Sequence, residues 1–151
     1  MYKKKYSKRF GGNEIKYLNN VLSNGFKASK DGSYTSKLEI AFSKFHKKKY
    51  AITFNSCTSA LHASLLTLNC KKGDEVLVPA LTPLMCGLAI HFTGATPIYV
   101  DSDPDTFLLS YKDLEKKITS KTKVIMAVHM YGGVCDLNKL KKISKKYNLK
   151  L

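Results

Sequence analysis

The run K-V-I-M-A-V-H at residues 123–129 decides the fold. Val124 through Val128 are all apolar, so a strand here has no face to offer water. Strands buried on both sides belong to parallel sheets covered by helices front and back. Working upstream, Ser110-x-x-Asp113 opens a helix carrying Leu114 and Ile118, preceded by an Asp103-Pro104-Asp105 turn and a strand over Pro97–Asp101. Before these lie a helix over Pro83–Phe92 that stops near Gly94, a short strand over Glu75–Pro79, and a Lys72-Gly73-Asp74 turn. Further back, Leu61, Leu65 and Leu68 share one stripe of a helix over Cys57–Asn69, and Tyr50–Asn55 reads as a strand. Downstream, Leu137, Leu140, Ile143 and Tyr147 mark a helix over Asp136–Tyr147, and Leu149 begins another strand. This alternation predicts an α/β class with a mostly parallel sheet and helices on both faces.

The first part of the chain is less regular. Asn13 caps an expected helix over residues 13–23 with Ile15, Leu18 and Leu22 on one face. Residues 24–35 read as a loop rich in Gly, Ser and Asp. Ser36-x-x-Glu39 has capping-box spacing, and Leu38, Phe42 and Phe45 follow at helical intervals. The expected organisation is a helix and loop over 1–35, then α/β structure over 36–151.

Composition bounds the function. At 151 residues and 44% hydrophobic, the chain is globular rather than disordered. No apolar h-region follows the basic N-terminus, and no run reaches the roughly 18 residues needed to span a bilayer. No membrane partner is expected, and the location is read as cytoplasmic. Cys57, Cys70, Cys86 and Cys135 form no C-x-x-C pair and have no zinc spacing, so they read as reduced thiols with no metal. The net charge of +15 raises a nucleic-acid reading. Arg9 is the only arginine, however, and Lys139, Lys141, Lys142, Lys145 and Lys146 alternate with apolar residues as on a solvated helix face. Base readout favours arginine, so no nucleic-acid partner is expected.

Ligands of parallel sheets bind beyond the carboxyl ends of the strands. That rule selects Asn55–Ser59, Pro79–Pro83 and His129–Gly133. Ser56-Cys57-Thr58 stands at a helix N-terminus, whose first amides have no internal partner and suit a phosphate. A plain Ser/Thr cap explains the same residues. The segment matches neither G-x-x-x-x-G-K-[ST] nor G-x-G-x-x-G. Thr82 could cap the next helix, with Pro83 in its first position. His129 and Tyr131, followed by Gly132-Gly133, suit a site wall with a flexible exit. No paired carboxylates and no Ser–His–Asp spacing mark a catalytic set.

Five blocks in register carry a family resemblance: F-N-S-C-T-S-A-L-H (54–62), G-D-E-V-L-V-P-A-L-T (73–82), G-A-T-P-I-Y-V-D-S-D-P-D-T-F (94–107), I-T-S-K-T-K-V-I-M-A-V-H-M-Y-G (118–132) and D-L-N-K-L (136–140). Together they resemble the DegT/DnrJ/EryC1/StrS family of pyridoxal-phosphate-dependent sugar aminotransferases. The resemblance implies a type I aminotransferase-like large domain that binds pyridoxal 5'-phosphate and works as a homodimer. It implies glutamate as amino donor and a nucleotide-linked keto sugar as acceptor, for surface polysaccharide or lipopolysaccharide synthesis. It implies that Ser56, Cys57 and Thr58 grip the cofactor phosphate, with Cys57 in place of the usual glycine. Thr82, Pro83 and His129 would also line the cofactor, Pro83 standing where the family usually has a stacking aromatic. Tyr131 falls on the substrate side. The family's ring-nitrogen aspartate and its aldehyde-anchoring lysine fall beyond Leu151. No catalytic residue is therefore assigned, the C-terminal domain is expected to be absent, and the chain reads as an N-terminal portion inactive by itself. A non-catalytic binding or regulatory relative, another type I pyridoxal-phosphate enzyme such as a lyase, and a basic nucleic-acid-binding module are the alternatives.

Overall fold

The computed structural model describes residues 12–24 and 33–151. The basic N-terminus, Arg9 and most of the 24–35 loop lie outside the described residues. The chain divides into two compact units, one ending at Thr53 and one spanning Phe54–Leu151.

The first unit holds α1 (Glu14–Ser23) and α2 (Tyr34–Phe45). Asn13 occupies the N-cap of α1 but makes no side-chain cap bond. The Glu14 carboxylate instead accepts the Gly12 N–H at 2.9 Å. The α2 helix begins earlier than the Ser36 box predicts. Ser33 is its cap, with Oγ accepting the Ser36 N–H at 3.1 Å. Ser33-x-x-Ser36 offers the same spacing one turn upstream, which makes Ser36 an interior residue. Glu39 is thereby released from capping and accepts both the backbone N–H (2.8 Å) and the hydroxyl (2.9 Å) of Thr53. The strand expected over Tyr50–Asn55 does not form, because no described strand pairs with it.

The second unit contains α3 (Cys57–Thr67), β1 (Glu75–Pro79), α4 (Leu84–His91), β2 (Thr96–Val100), α5 (Tyr111–Lys116), β3 (Thr122–Ile125) and α6 (Leu137–Lys146). The sheet order is β2-β1-β3, and both pairings are parallel. A further strand begins at the predicted place. Ile125 N–H donates to Lys150 O (2.8 Å) and Lys150 N–H to Lys123 O (2.9 Å). The β3 ladder is shorter than the 123–129 run. It extends one bond past Ile125, from Met126 N–H to Leu77 O at 2.8 Å. The next donor in register is Pro79, which has no N–H to give.

Alternation along β1 sorts the core into two layers. Val76 and Val78 face a cluster with Leu65 of α3 and Ala89 and Ile90 of α4. Leu77 faces the other way, toward Leu114 of α5 and Leu140 and Ile143 of α6. All three β1 residues are 0% exposed. Gly87 lets α4 lie close to β2, since a Cβ there would sit 2.5 Å from the Tyr99 hydroxyl oxygen.

Two carboxylates tie the strands and turns together. Asp74 accepts from Lys123 Nζ (3.2 Å) and the Lys71 N–H (3.0 Å). Burial alone would push its pKa up, but these hydrogen bonds outweigh it and the net shift is downward. Asp113 is also lowered, first by Lys117 at 2.8 Å and then by the Asp101 N–H at 2.8 Å. A carboxylate lowered in the folded state stabilises it above the ordinary carboxylate range, and that contribution is lost as pH falls. The melting temperature should therefore hold level from neutral pH to about pH 5 and drop as pH passes below about 4. The Asp113→Asn variant should show a shallower acid decline, measured by thermal melting across pH.

Candidate functional site

Two of the three selected loops leave the carboxyl ends of β1 and β3, and the first follows a segment that pairs with no described strand. The first turns into α3. Ser56 is its N-cap, its Oγ accepting the Ser59 N–H at 3.1 Å and lying 2.9 Å from Ser59 Oγ. The first intrahelical bond runs from Ala60 N–H to Ser56 O (3.2 Å). The amides of Cys57 and Thr58 precede that bond and point outward with the positive end of the helix dipole. If Ser59 donates to Ser56, the Ser56 hydroxyl proton is free to point outward as well. Ser56 and Cys57 are exposed and Thr58 is half-buried, so the cup is open to a ligand.

The second loop departs from expectation. Pro83, not Thr82, is the N-cap residue of α4, with φ −54° and ψ 135°. The Thr82 hydroxyl donates inward to the buried Cys86 Sγ at 3.3 Å, one helical turn on. Proline has no side-chain acceptor for a helix amide, so the start of α4 is set by backbone geometry alone. Pro83 itself is exposed.

The third loop follows β3. His129 lies past the ladder, and its Nδ1 accepts the Cys135 N–H at 3.1 Å, which leaves the ring proton on Nε2. The Cys135 thiol donates to Val128 O at 3.3 Å. Between these anchors, Met130 O accepts from Gly133 N–H at 2.7 Å. Tyr131 (φ 50°) and Gly132 (φ 84°) are both left-handed, as in a type I′ turn. A tyrosine in that conformation costs about 1–2 kcal/mol. Tyr131 is 79% exposed at the tip.

His129 and the inner face of α3 meet at a cavity of about 310 Å³ whose lining includes Leu61, Ser64, Leu68, Met126 and Leu151. The cavity meets α3 along its later turns and is not lined by Ser56, Cys57 or Thr58, while Thr82 is turned toward Cys86. Three further contacts of these loops were not assigned from sequence. Ser59 shares the Ser56 hydroxyl, and its serine type three residues on was the available signal. His62 Nε2 is buried without a hydrogen-bond partner among the described residues, beside Phe92 at 6.0 Å between ring centroids. Phe107 stands edge-on to Tyr131 at 6.3 Å and 87°, a contact that no local pattern reveals.

Comparison with known proteins places this geometry in context. The profile of the DegT/DnrJ/EryC1/StrS aminotransferase family matches residues 8–151. The chain is 44% identical over 144 residues to the GDP-perosamine synthase of Escherichia coli O157:H7, covering 95% of this chain and 39% of that protein. It is 38% identical to the dTDP-3-amino-3,6-dideoxy-alpha-D-galactopyranose transaminase of Aneurinibacillus thermoaerophilus, covering 89% and 36%. The crystal structure of NtdA from Bacillus subtilis with bound cofactor PMP superposes with a TM-score of 0.81 at 34% identity, covering 93% of this chain and 33% of that one. The fold is one shared with PLP-dependent sugar aminotransferases, of whose chains it covers about a third. No described helix is long and apolar enough to cross a membrane.

The two hydroxyls of the α3 loop should separate experimentally. Ser56→Ala removes the cap and should lower stability by about 1 kcal/mol. Thr58 makes no cap bond, so Thr58→Ala should leave the chemical-denaturation midpoint nearly unchanged.

Proposed function

Because the chain belongs to the DegT/DnrJ/EryC1/StrS aminotransferase family, we propose that it carries the phosphate end of a pyridoxal 5'-phosphate site in an aminotransferase of nucleotide-linked keto sugars. Glutamate is the proposed amino donor. The proposed setting is a cytoplasmic homodimer that supplies amino sugars for surface polysaccharide or lipopolysaccharide. Residues 36–151 are proposed as the N-terminal part of the cofactor-binding domain.

One observation carries the reading. The outward amides of Cys57 and Thr58, with the Ser56 hydroxyl, form a cup at the N-terminus of an eleven-residue helix. An anion fits such a cup through the helix dipole and unpaired N–H groups. Backbone donors explain why Cys57 serves where glycine is usual, since its side chain is exposed and need not enter the cup.

The chain's other residues take supporting parts. His129 is fixed by the Cys135 N–H and presents Nε2–H as a donor beside the cavity. Pro83, exposed at the mouth of α4, offers its ring as an apolar cover for a flat cofactor. Thr82 holds the α4 turn through Cys86 and acts on the site by positioning that turn. Tyr131 is proposed on the substrate side. When bound, the cofactor supplies an electron sink for the carbon that loses its proton.

The chain spans 39% of the length of the curated relative it matches at 44% identity. A polypeptide of residues 1–151 alone should show no transamination above free pyridoxal phosphate with glutamate and a keto-sugar nucleotide. It should nevertheless bind pyridoxal phosphate weakly through the phosphate. Inorganic phosphate should compete, and Ser56→Ala together with Thr58→Ala should weaken binding about 10-fold or more, read by fluorescence titration. Binding that is indifferent to inorganic phosphate and to both substitutions would defeat the proposal.

A further inference from the structure

Two aromatic residues at the ligand end of the second unit are exposed, strained and in contact. Phe107 (φ 58°) and Tyr131 (φ 50°) are both left-handed, a backbone region that bulky side chains avoid. Their rings meet edge to face, with Phe107 51% and Tyr131 79% exposed. Strain of this kind persists only where surrounding structure enforces it, and such residues cluster at ligand sites.

Each turn is built rigidly. Asp103 Oδ1 accepts the N–H groups of Asp105 (3.2 Å) and Thr106 (2.9 Å) and the Thr106 hydroxyl (2.9 Å). The Phe107 N–H then donates to Asp103 O (2.8 Å), closing the loop that sets Phe107 outward. Tyr131 rides the Met130–Gly133 turn, which His129 and Cys135 anchor from below. The two loops are packed together, since a Cβ on Gly133 would lie 3.3 Å from a Leu108 methyl. The side chain of Val134, next along, is also exposed. The result is a fixed, largely apolar aromatic surface continuous with the loop that carries His129.

We infer that Phe107 and Tyr131 form a stacking platform for the nucleobase of the nucleotide-linked substrate. This rests on the function proposed above and adds to it a subsite and a residue, Phe107. The chemistry of the surface selects the base over the other parts of such a substrate. A phosphate needs cations or amides, and a sugar, even with its C–H face laid on a ring, needs hydrogen-bonding partners around its hydroxyls. The flanking Leu108 and Val134 supply neither. A nucleobase presents a flat π face, and every base does so, which makes stacking tolerant of base identity.

The test uses the complete gene product, with isothermal titration of GDP, dTDP and inorganic pyrophosphate, and a separate spectral titration of pyridoxal phosphate. Asparagine tolerates left-handed backbone, so Phe107→Asn and Tyr131→Asn keep both turns while deleting the rings. Melting temperatures at or above that of the parent protein verify the fold. Tyr131→Phe keeps the ring and serves as the conservative variant. GDP and dTDP affinity should fall about 5- to 150-fold in each asparagine variant. Tyr131→Phe should bind like the parent, and pyrophosphate and pyridoxal phosphate affinities should not change. Equal affinity for GDP and pyrophosphate in the parent, or nucleotide affinity unchanged in both asparagine variants, overturns the platform. Either result can occur with pyridoxal phosphate binding intact, which separates it from failure of the cofactor reading.

Discussion

The second unit depends on β1. Five residues, Glu75–Pro79, pair with β2 on one side and β3 on the other, and no side chain from Val76 to Val78 touches water. Burying each such side chain is worth roughly 1.5–3 kcal/mol. The two valines hold α3 and α4 to one face, and Leu77 holds α5 and α6 to the other. Because the strands are parallel, their carboxyl ends share one edge, and the loops that follow β1, β2 and β3 leave from it. The turns carrying Phe107 and Tyr131, after β2 and β3, are consequences of that shared direction.

Most of this architecture was legible because its signal is local and redundant. The boundaries of β1 were read correctly, since an apolar run lies between a Gly-Asp turn and a proline. The helices α3, α4, α5 and α6 were found through caps and periodic apolar residues. What was not legible depends on partners. Tyr50–Asn55 has a strand's composition, but a strand exists only with a neighbour to pair with. The 123–129 run is apolar throughout, yet its ladder is cut short by a proline on a different strand, 44 or more residues upstream in sequence. The start of α2 was misplaced because two serines three apart both satisfy a capping pattern, and only one of them caps.

The candidate site divides in the same way. The rule that ligands lie beyond parallel strand ends selected three loops, of which two follow strands of the sheet and one follows a segment that forms none. It could not orient the side chains within them. Thr82 reads as an exposed cap but turns to Cys86, because the thiol lies one turn ahead and Pro83 already fixes the chain direction. His129 was recognised by position, but its partner, the amide of Cys135, sits six residues on across a turn. Phe107 was passed over altogether. A left-handed phenylalanine cannot be inferred from the letters around it, because the Asp103 turn and the Leu108 contact impose it together.

Gly87 limits how this domain could be improved. Replacing a helical glycine with alanine is among the safest ways to make a protein more robust, worth about 0.5–1 kcal/mol where the helix is free. Here the added methyl would meet the hydroxyl of Tyr99 at 2.5 Å, across the interface between α4 and the outer strand. The gain in backbone order would be offset by pushing the helix off the sheet or displacing the tyrosine ring. Any thermostabilising redesign must therefore treat positions 87 and 99 as one unit. An alanine becomes admissible if the exposed Tyr99 ring swings outward or gives up its hydroxyl, so the two sites would be chosen jointly in a library rather than scanned singly.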